Sequence, residues 1–102
     1  MPNVVGILGD PERIQFIGNE KIESRDLRAA LGFDLEFLVA AHPDAPLEQL
    51  LPLLEVRLAD GYRHFGFADV TTNARYVEQR NSIVVTIEEG QRFLSGDIEI
   101  AG

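Results

Sequence analysis

The side chains best suited to chemistry in this sequence are its two histidines, His42 and His64, and two aspartates near the second of them, Asp60 and Asp69. Histidine and carboxylate side chains bind divalent metal ions and transfer protons near neutral pH. Neither histidine has a second ligand at helical spacing, so a metal site would have to draw its carboxylates from elsewhere in the chain. The pattern is more typical of two surface histidines, and we predict no metal site.

Asp69 follows a predicted strand, and the carboxyl end of a parallel strand is a common place for a functional carboxylate. If the protein were a small hydrolase, Asp69 and His64 would be its candidate active-site residues. An aspartate after a strand more often bonds its own backbone in a turn. The serines lie in no Gly-x-Ser-x-Gly elbow, and no glycine pattern matches a phosphate-binding loop. We therefore expect a non-enzymatic protein with no catalytic residues and no cofactor.

The composition limits the classes of partner. The chain has 102 residues and 45% hydrophobic residues, which predicts one small globular domain over residues 1–102. Its net charge of −8 argues against nucleic acid, because phosphate binding needs clustered Lys and Arg. Cysteine is absent, so disulfide bonds and thiolate metal sites are excluded. The sequence has no run of roughly 20 apolar residues, so it predicts no membrane span.

Residues 35–70 predict a strand, a helix and a strand, around which the rest of the domain is organised. Leu35–Ala41 carries apolar residues on both faces, as a central strand does. His64–Val70 is again short and apolar, with Phe65 and Phe67 on one face. Two strands joined by a helix pair in parallel through a right-handed crossover. The helix between them carries a stripe of leucines at positions 47, 50, 51, 54 and 58, and it ends at a predicted C′ glycine, Gly61. Of this stripe we expect Leu50, Leu54 and Leu58 to be buried.

The N-terminal part predicts a hairpin and a helix. Val4–Leu8 and Ile14–Ile17 are short apolar runs on either side of a Gly-Asp-Pro turn. Ser24 is a predicted N-cap, and Gly32 a predicted terminator, for a helix whose apolar face contains Leu27. Together with the organising unit, these elements form a predicted core module over residues 4–70.

The C-terminal part predicts a polar connector over residues 71–81 and a second hairpin over residues 82–100. Its apolar residues alternate in the manner of a strand. The predicted fold class is therefore α+β: a small mixed sheet in the order hairpin, helix, strand, helix, strand. Two helices lie on one face of this sheet, and an extra C-terminal β-hairpin follows.

Two stretches carry a resemblance to a known family. IQFIGNEKIESRDLRAAL resembles the hairpin exit and first helix of the periplasmic domain of ExbD and TolR proteins. LVAAHPDAPLEQLLPLLEVRLADGYRHFGFAD is similar to the strand, helix and strand that follow in that family. The sequence departs from the family in Ala41-His42, where the family usually has Ala-Asp, and in Pro52. The family's membrane helix and its proton-coupling aspartate have no counterpart in these residues.

The resemblance implies a non-enzymatic interaction domain of an energy-transduction or biopolymer transport protein. Such a domain would be periplasmic, would form a homodimer, and would bind a TonB-like or TolA-like protein or peptidoglycan. Open sheet edges are the expected means of binding, because their unpaired backbone groups can accept a partner's strand. The alternative is a stand-alone α+β adaptor or small-ligand-binding protein in the cytoplasm. The residues expected at a partner or dimer interface belong to the C-terminal hairpin: Ile83, Val85, Ile87 and Phe93.

Overall fold

The computed structural model describes residues 1–92, in which helices lie between the first strand and the last two. The α-helices are α1, α2 and α3, at Ser24–Gly32, Leu35–Ala40 and Leu47–His64. The β-strands are β1, β2 and β3, at Gln15–Ile17, Thr71–Val77 and Ser82–Glu88. Short 3₁₀-helices occupy Gly6–Gly9, Pro11–Arg13 and Glu78–Arg80.

The strands of residues 1–92 form one mixed sheet in the order β1-β3-β2. β1 pairs with β3 in parallel, with Phe16 opposite Val85. β2 pairs with β3 in the antiparallel direction, with Ala74 opposite Val85. The predicted fold class, a small α+β fold with a mixed sheet, is confirmed. β3 is the central strand, and β1 and β2 are the edges.

One hydrophobic core joins the helices to the sheet. Helix α3 lies against β2, where the Thr72 hydroxyl donates to the Glu55 carbonyl at 2.8 Å and the Ala74 N–H donates to the Glu55 carboxylate at 2.8 Å. The largest fully buried side chains come from all parts of the described chain: Val5, Ile14, Phe37, Leu47, Leu50, Leu54, Tyr62, Phe67, Ile83 and Val85.

The leucine stripe of α3 is confirmed. Leu50, Leu54 and Leu58 are buried, as the spacing of three and four residues predicts. Pro52 lies within the helix on its exposed side, so the ring does not disturb the buried stripe. Helix α1 is also confirmed, although its N-cap is Glu23 rather than the predicted Ser24.

The predicted strand Leu35–Ala41 is wrong, because the structure has helix α2 at Leu35–Ala40. Asp34 caps this helix, and its carboxylate accepts a hydrogen bond from the Phe37 N–H at 3.0 Å. An N-cap aspartate satisfies a backbone donor that would otherwise lack a partner at the start of a helix. Apolar residues on both faces had indicated a central strand. In the structure they are divided between a core face and a solvent face.

The predicted strand His64–Val70 is also wrong, and with it the parallel pairing of this segment with residues 35–41. Helix α3 continues three residues beyond Gly61 and ends at His64. Gly61 is therefore not the C′ residue. That position is taken by Gly66, whose φ of 98° lies in the left-handed region that favours glycine.

The end of α3 is a Schellman motif. The Gly66 N–H donates to the Arg63 carbonyl at 3.0 Å, and the Phe67 N–H donates to the Tyr62 carbonyl at 3.1 Å. The two rings that this turn brings together, Tyr62 and Phe67, pack edge to face with centroids 5.2 Å apart. Such a motif usually includes an apolar contact between these two positions, and here both side chains are buried. The apolar residues after His64 therefore close a helix.

The predicted N-terminal hairpin is wrong in its first strand. Val4–Leu8 is not extended, since a 3₁₀-helix spans Gly6–Gly9. Gly6 has a positive φ of 55°, which interrupts any strand at this point. The predicted second strand is confirmed at Gln15–Ile17, but its partner is β3, which is nearly seventy residues further along the chain.

The predicted connector over residues 71–81 is wrong because Thr71–Val77 forms the edge strand β2. Its exposed face carries Thr71, Asn73 and Arg75, and this face made the segment look like a loop. A left-handed Asn81 at φ 46° then turns the chain into β3. The C-terminal hairpin is confirmed only in its first strand. Its expected return strand, with Phe93, lies outside the described residues.

Candidate functional site

The predicted interface residues Ile83, Val85 and Ile87 lie in β3, the central strand, and all three are buried in the core of this chain. Both edges of β3 are paired within the chain. The structure thus places these side chains in the interior rather than at a surface. Phe93 lies outside the described residues. The homodimer itself stays a prediction, and its surface has to be sought elsewhere.

The candidate chemical residues do not form one site. His42 is exposed, and its Nδ1 accepts a hydrogen bond from the Asp44 N–H at 3.1 Å. His64 and Asp60 line a cleft that Asp69 does not line. Within residues 1–92, no group of three His, Cys, Asp or Glu side chains has a metal-binding arrangement.

The most unusual surface feature is a cluster of four exposed apolar side chains around α2, which we call the apolar face. Its members are Phe33, Leu35, Leu38 and Val39, which are 91%, 74%, 45% and 67% exposed. On a helix, positions 35, 38 and 39 share one side, while Phe37 points the opposite way into the core. Single exposed apolar residues are normal, but an exposed apolar cluster marks an interaction surface.

The start of α2 holds the apolar face in place. Phe33 and Leu38 occupy the N′ and N4 positions around the N-cap Asp34, which in many helices form a hydrophobic staple. The second carboxylate oxygen of Asp34 accepts a hydrogen bond from Arg57 Nε at 2.8 Å. Since Arg57 belongs to α3, this pair fixes α2 to the longest helix of residues 1–92.

The Asp34–Arg57 pair is charged at neutral pH. Burial alone would raise the pKa of Asp34, but the Phe37 N–H and the Arg57 guanidinium bond the carboxylate and hold its pKa below the ordinary value. A pKa that is lower in the folded than in the unfolded state stabilises the fold above about pH 4, the unfolded value. This stabilisation is lost as the pH falls through the folded-state pKa.

The second feature is a cleft of about 600 Å³ between α1 and the C-terminal half of α3. Its floor is apolar and its rim is charged, which is the usual character of a ligand site of this size. The apolar lining residues are Ile22, Leu27, Ala30, Leu31, Leu58, Phe65 and Phe67. The charged and titratable lining residues are Lys21, Asp26, Asp34, Arg57, Asp60, His64 and Arg92.

A buried polar cluster lies near one end of the cleft. The Glu89 carboxylate accepts a hydrogen bond from the Tyr62 hydroxyl at 2.8 Å and from the Lys21 N–H at 2.9 Å. Tyr62 is fully buried and Glu89 almost so. Burial, then the hydrogen bond and charge of Glu89, raise the pKa of the Tyr62 phenol far above its ordinary value. The cluster joins α3, the end of β3 and the loop before α1.

We expect Tyr62→Phe to lower the free energy of unfolding by about 1–3 kcal/mol, the usual cost of leaving a buried acceptor without its donor. Tyr76→Phe is the matched control, because it removes a similar 2.8 Å bond, from the Tyr76 hydroxyl to Asn81, at an exposed site. The control should cost about 0.5 kcal/mol or less. Urea denaturation of both variants measures the difference, and equal losses would contradict a structural role for the Tyr62–Glu89 bond.

A scan against models of protein families gives no match, and a search of curated proteins finds no significant match. None of the helices in residues 1–92 has the length and apolar character needed to span a membrane.

Both surface features were missed in the sequence analysis, for different reasons. The apolar face had a signal, because residues 35–39 carry apolar side chains on more sides than one buried element can cover. The cleft had no signal in the sequence, because Lys21, Leu31 and Arg92 come to line one cleft only after the helices have packed. The missed capping residue, Asp34, is the sequence feature that would have revealed α2.

Proposed function

We propose that this protein is a non-enzymatic interaction domain, and that it forms a homodimer through the apolar face. The observation that carries the proposal is the exposure of four large apolar side chains on one short segment, residues 33–39. Removing such side chains from water is the main source of free energy in protein association. The α2 helix holds them on its outer side by its own cap and by the Asp34–Arg57 pair.

The area of the face supports a second copy of the chain as its occupant. Exposed patches of a few hundred Å² are the largest that monomers usually carry, and they are often functional. A standard interface covers roughly 800 Å² on each partner, so four large side chains would form most of its apolar centre. In a two-fold dimer the same patch meets itself, which requires no second complementary surface.

Charge also permits this contact, although the chain as a whole carries −8. Two acidic residues lie within the segment, Asp34 and Glu36. Asp34 bonds Arg57 at 2.8 Å, and Glu36 lies 3.8 Å from the same guanidinium. The like charges that would face each other in a dimer are therefore partly compensated, which lowers the repulsion between the two copies.

The sheet edges support binding less strongly than the apolar face does. β1 has three residues and offers a short edge. On β2 the Ala74 N–H already donates to the Glu55 carboxylate, so that this backbone donor cannot bond a partner's strand. A short edge and an occupied donor are features that protect a sheet from edge-to-edge pairing.

We also propose the ExbD/TolR-type role as the physiological setting of such a dimer. What supports it is the segment over residues 14–32, where the strand Gln15–Ile17, the Gly18–Asn19 turn and helix α1 follow the family's order. The second stretch gives less support. Residues 35–41 and 64–70 do not form the strands that the resemblance implied, although helix α3 between them does form. On this proposal the domain is periplasmic and binds a TonB-like or TolA-like protein or peptidoglycan. The alternative, a cytoplasmic small-ligand-binding protein, is favoured by the cleft.

Sedimentation equilibrium of matched variants tests the dimer. Leu35→Asp places a charge on the apolar face, while Ile17→Asp places the same charge on β1 at a residue that is 51% exposed. We expect the unmodified chain and Ile17→Asp to be dimers in the micromolar range and Leu35→Asp to be a monomer. Aspartate at the first helical position favours the helix, so α2 should persist in the variant.

Two results would count against the proposal. An unmodified chain that stays monomeric across micromolar concentrations would leave the apolar face without this partner. Dissociation by Ile17→Asp but not by Leu35→Asp would move the interface to the edge of the sheet. Circular dichroism of each variant separates a lost contact from a lost fold.

A further inference from the structure

We propose that the cleft between α1 and α3 binds a small amphipathic carboxylate, with an aliphatic or aromatic body on the apolar floor and the carboxylate at Arg92 and Lys21. None of the four side chains of the apolar face lines this cleft. The cleft volume, about 600 Å³, lies within the range of small-molecule sites.

The floor of the cleft requires a ligand with an apolar body. Leu27, Leu31 and Leu58 are buried residues that still line the cleft, and Phe65 stands at its rim with 57% of its surface exposed. An ion without hydrocarbon would leave this surface in contact with water and gain nothing from it. The net charge of −8 on the chain also disfavours a polyanion.

The rim has cations at one end that could receive a single negative charge. Arg92 donates from Nε to the Phe65 carbonyl at 2.9 Å, and its guanidinium lies 5.4 Å above the Phe67 ring. Among the described residues, the terminal N–H groups of Arg92 make no hydrogen bond, because only its Nε is used in this contact. In the part of the chain that the structure describes, neither Arg92 nor Lys21 is within salt-bridge distance of a carboxylate.

The position of Lys21 follows from its backbone. Its N–H donates to Glu89, which lies three residues before Arg92, so both cations are near the end of β3. The Glu89 carboxylate is turned towards this N–H and the Tyr62 hydroxyl, and it is 8% exposed. It therefore holds the backbone that carries Lys21 without occupying the cleft, which it does not line.

The acidic residues of the rim lie mostly at the other end. Asp34 follows α1, and Asp60 is bonded by Arg57 and Arg63. Lys21 precedes α1, whose nine residues span roughly 13 Å at 1.5 Å each. Asp26 is the exception, because it lies in the first turn of α1 near Lys21 and would repel a bound carboxylate. Replacing it should therefore tighten binding, whereas replacing Arg92 should weaken binding.

The probe is decanoate, titrated below its micellar range into the full chain and followed by ¹⁵N-correlated NMR spectra. Decylamine, with the same chain and the opposite charge, is the matched control. We expect saturable shifts in α1 and in residues 57–67 with decanoate, and binding at least tenfold weaker with decylamine. Arg92→Gln should weaken decanoate binding roughly tenfold or more, as loss of a charged hydrogen bond does, and Asp26→Asn should strengthen it.

Ala30→Phe provides a second variant that does not depend on charge. Ala30 is exposed on α1 and lines the cleft, so a larger side chain should block the site and leave the core intact. We expect this variant to stay folded and to lose decanoate binding. Absence of decanoate binding to the full chain, equal affinity for decylamine, or unchanged binding in both Arg92→Gln and Ala30→Phe would each overturn the proposal.

Discussion

Replacing Phe37 with alanine should lower the free energy of unfolding by about 3–5 kcal/mol, the usual cost of removing a buried aromatic ring. Phe37 is completely buried and is the side chain through which α2 enters the core. A domain of this size has roughly 5–15 kcal/mol of total stability, so the loss should be a large part of it. Urea denaturation followed by circular dichroism measures the change.

Leu35→Ala and Val39→Ala are the controls for Phe37→Ala. They test whether Phe37 is buried, and also whether residues 35–39 form a helix rather than a strand. In a strand, positions 35, 37 and 39 would share one face. In α2, Leu35 and Val39 are 74% and 67% exposed while Phe37 is buried. We expect each control to cost about 0.5 kcal/mol or less, at protein concentrations where self-association adds no stability. Similar losses at all three positions would contradict the helix.

Leu54→Ala should cost about 2–5 kcal/mol, the range for a leucine removed from a closed core. Leu54 is completely buried in the middle of the leucine stripe of α3, where neighbouring turns place Leu50 and Leu58 beside it. Because the helix packs on β2 as well as on α2, the surrounding side chains have little freedom to fill the cavity.

Val56→Ala is the matched control for Leu54→Ala on the same helix. Val56 is 54% exposed, so its truncation removes little buried area. We expect its effect on the free energy of unfolding to be about 0.5 kcal/mol or less. A loss at Val56 as large as the loss at Leu54 would mean that the buried side of α3 is assigned wrongly.

The elements with one clear period could be predicted from the sequence. Helix α3 was predicted from leucines three and four residues apart, and β3 from alternating branched residues, and both are confirmed. The mixed α+β class is confirmed as well. These features depend on local periodicity, which one sequence shows directly.

The hydrophobic period alone did not assign residues 35–41 and 64–70. A short apolar run with no polar face fits a buried strand and a helix equally well, and the choice depends on what covers it. Here Arg57 on α3 bonds the cap of α2, and Gly66 ends α3 in a Schellman turn. The first of these contacts is tertiary, so no local pattern contains it.

The pairing of the strands could not be predicted from the sequence for a related reason. β1 joins β3 in parallel although nearly seventy residues separate them, while β2 follows α3 and pairs with β3 next along the chain. The polar face of β2 resembles a connector because an edge strand exposes every second residue to water. The apolar face and the cleft likewise depend on how the helices pack.

Isotope-filtered NOE spectroscopy on a mixture of labelled and unlabelled chains is the sharpest test of a homodimer formed through the apolar face, because it detects contacts only between different copies. We expect intermolecular NOEs that join Phe33 ring protons to the methyl groups of Leu35, Leu38 and Val39 in the other copy. Intermolecular NOEs from Ile17 and the sheet edge, with none from these four residues, would contradict it.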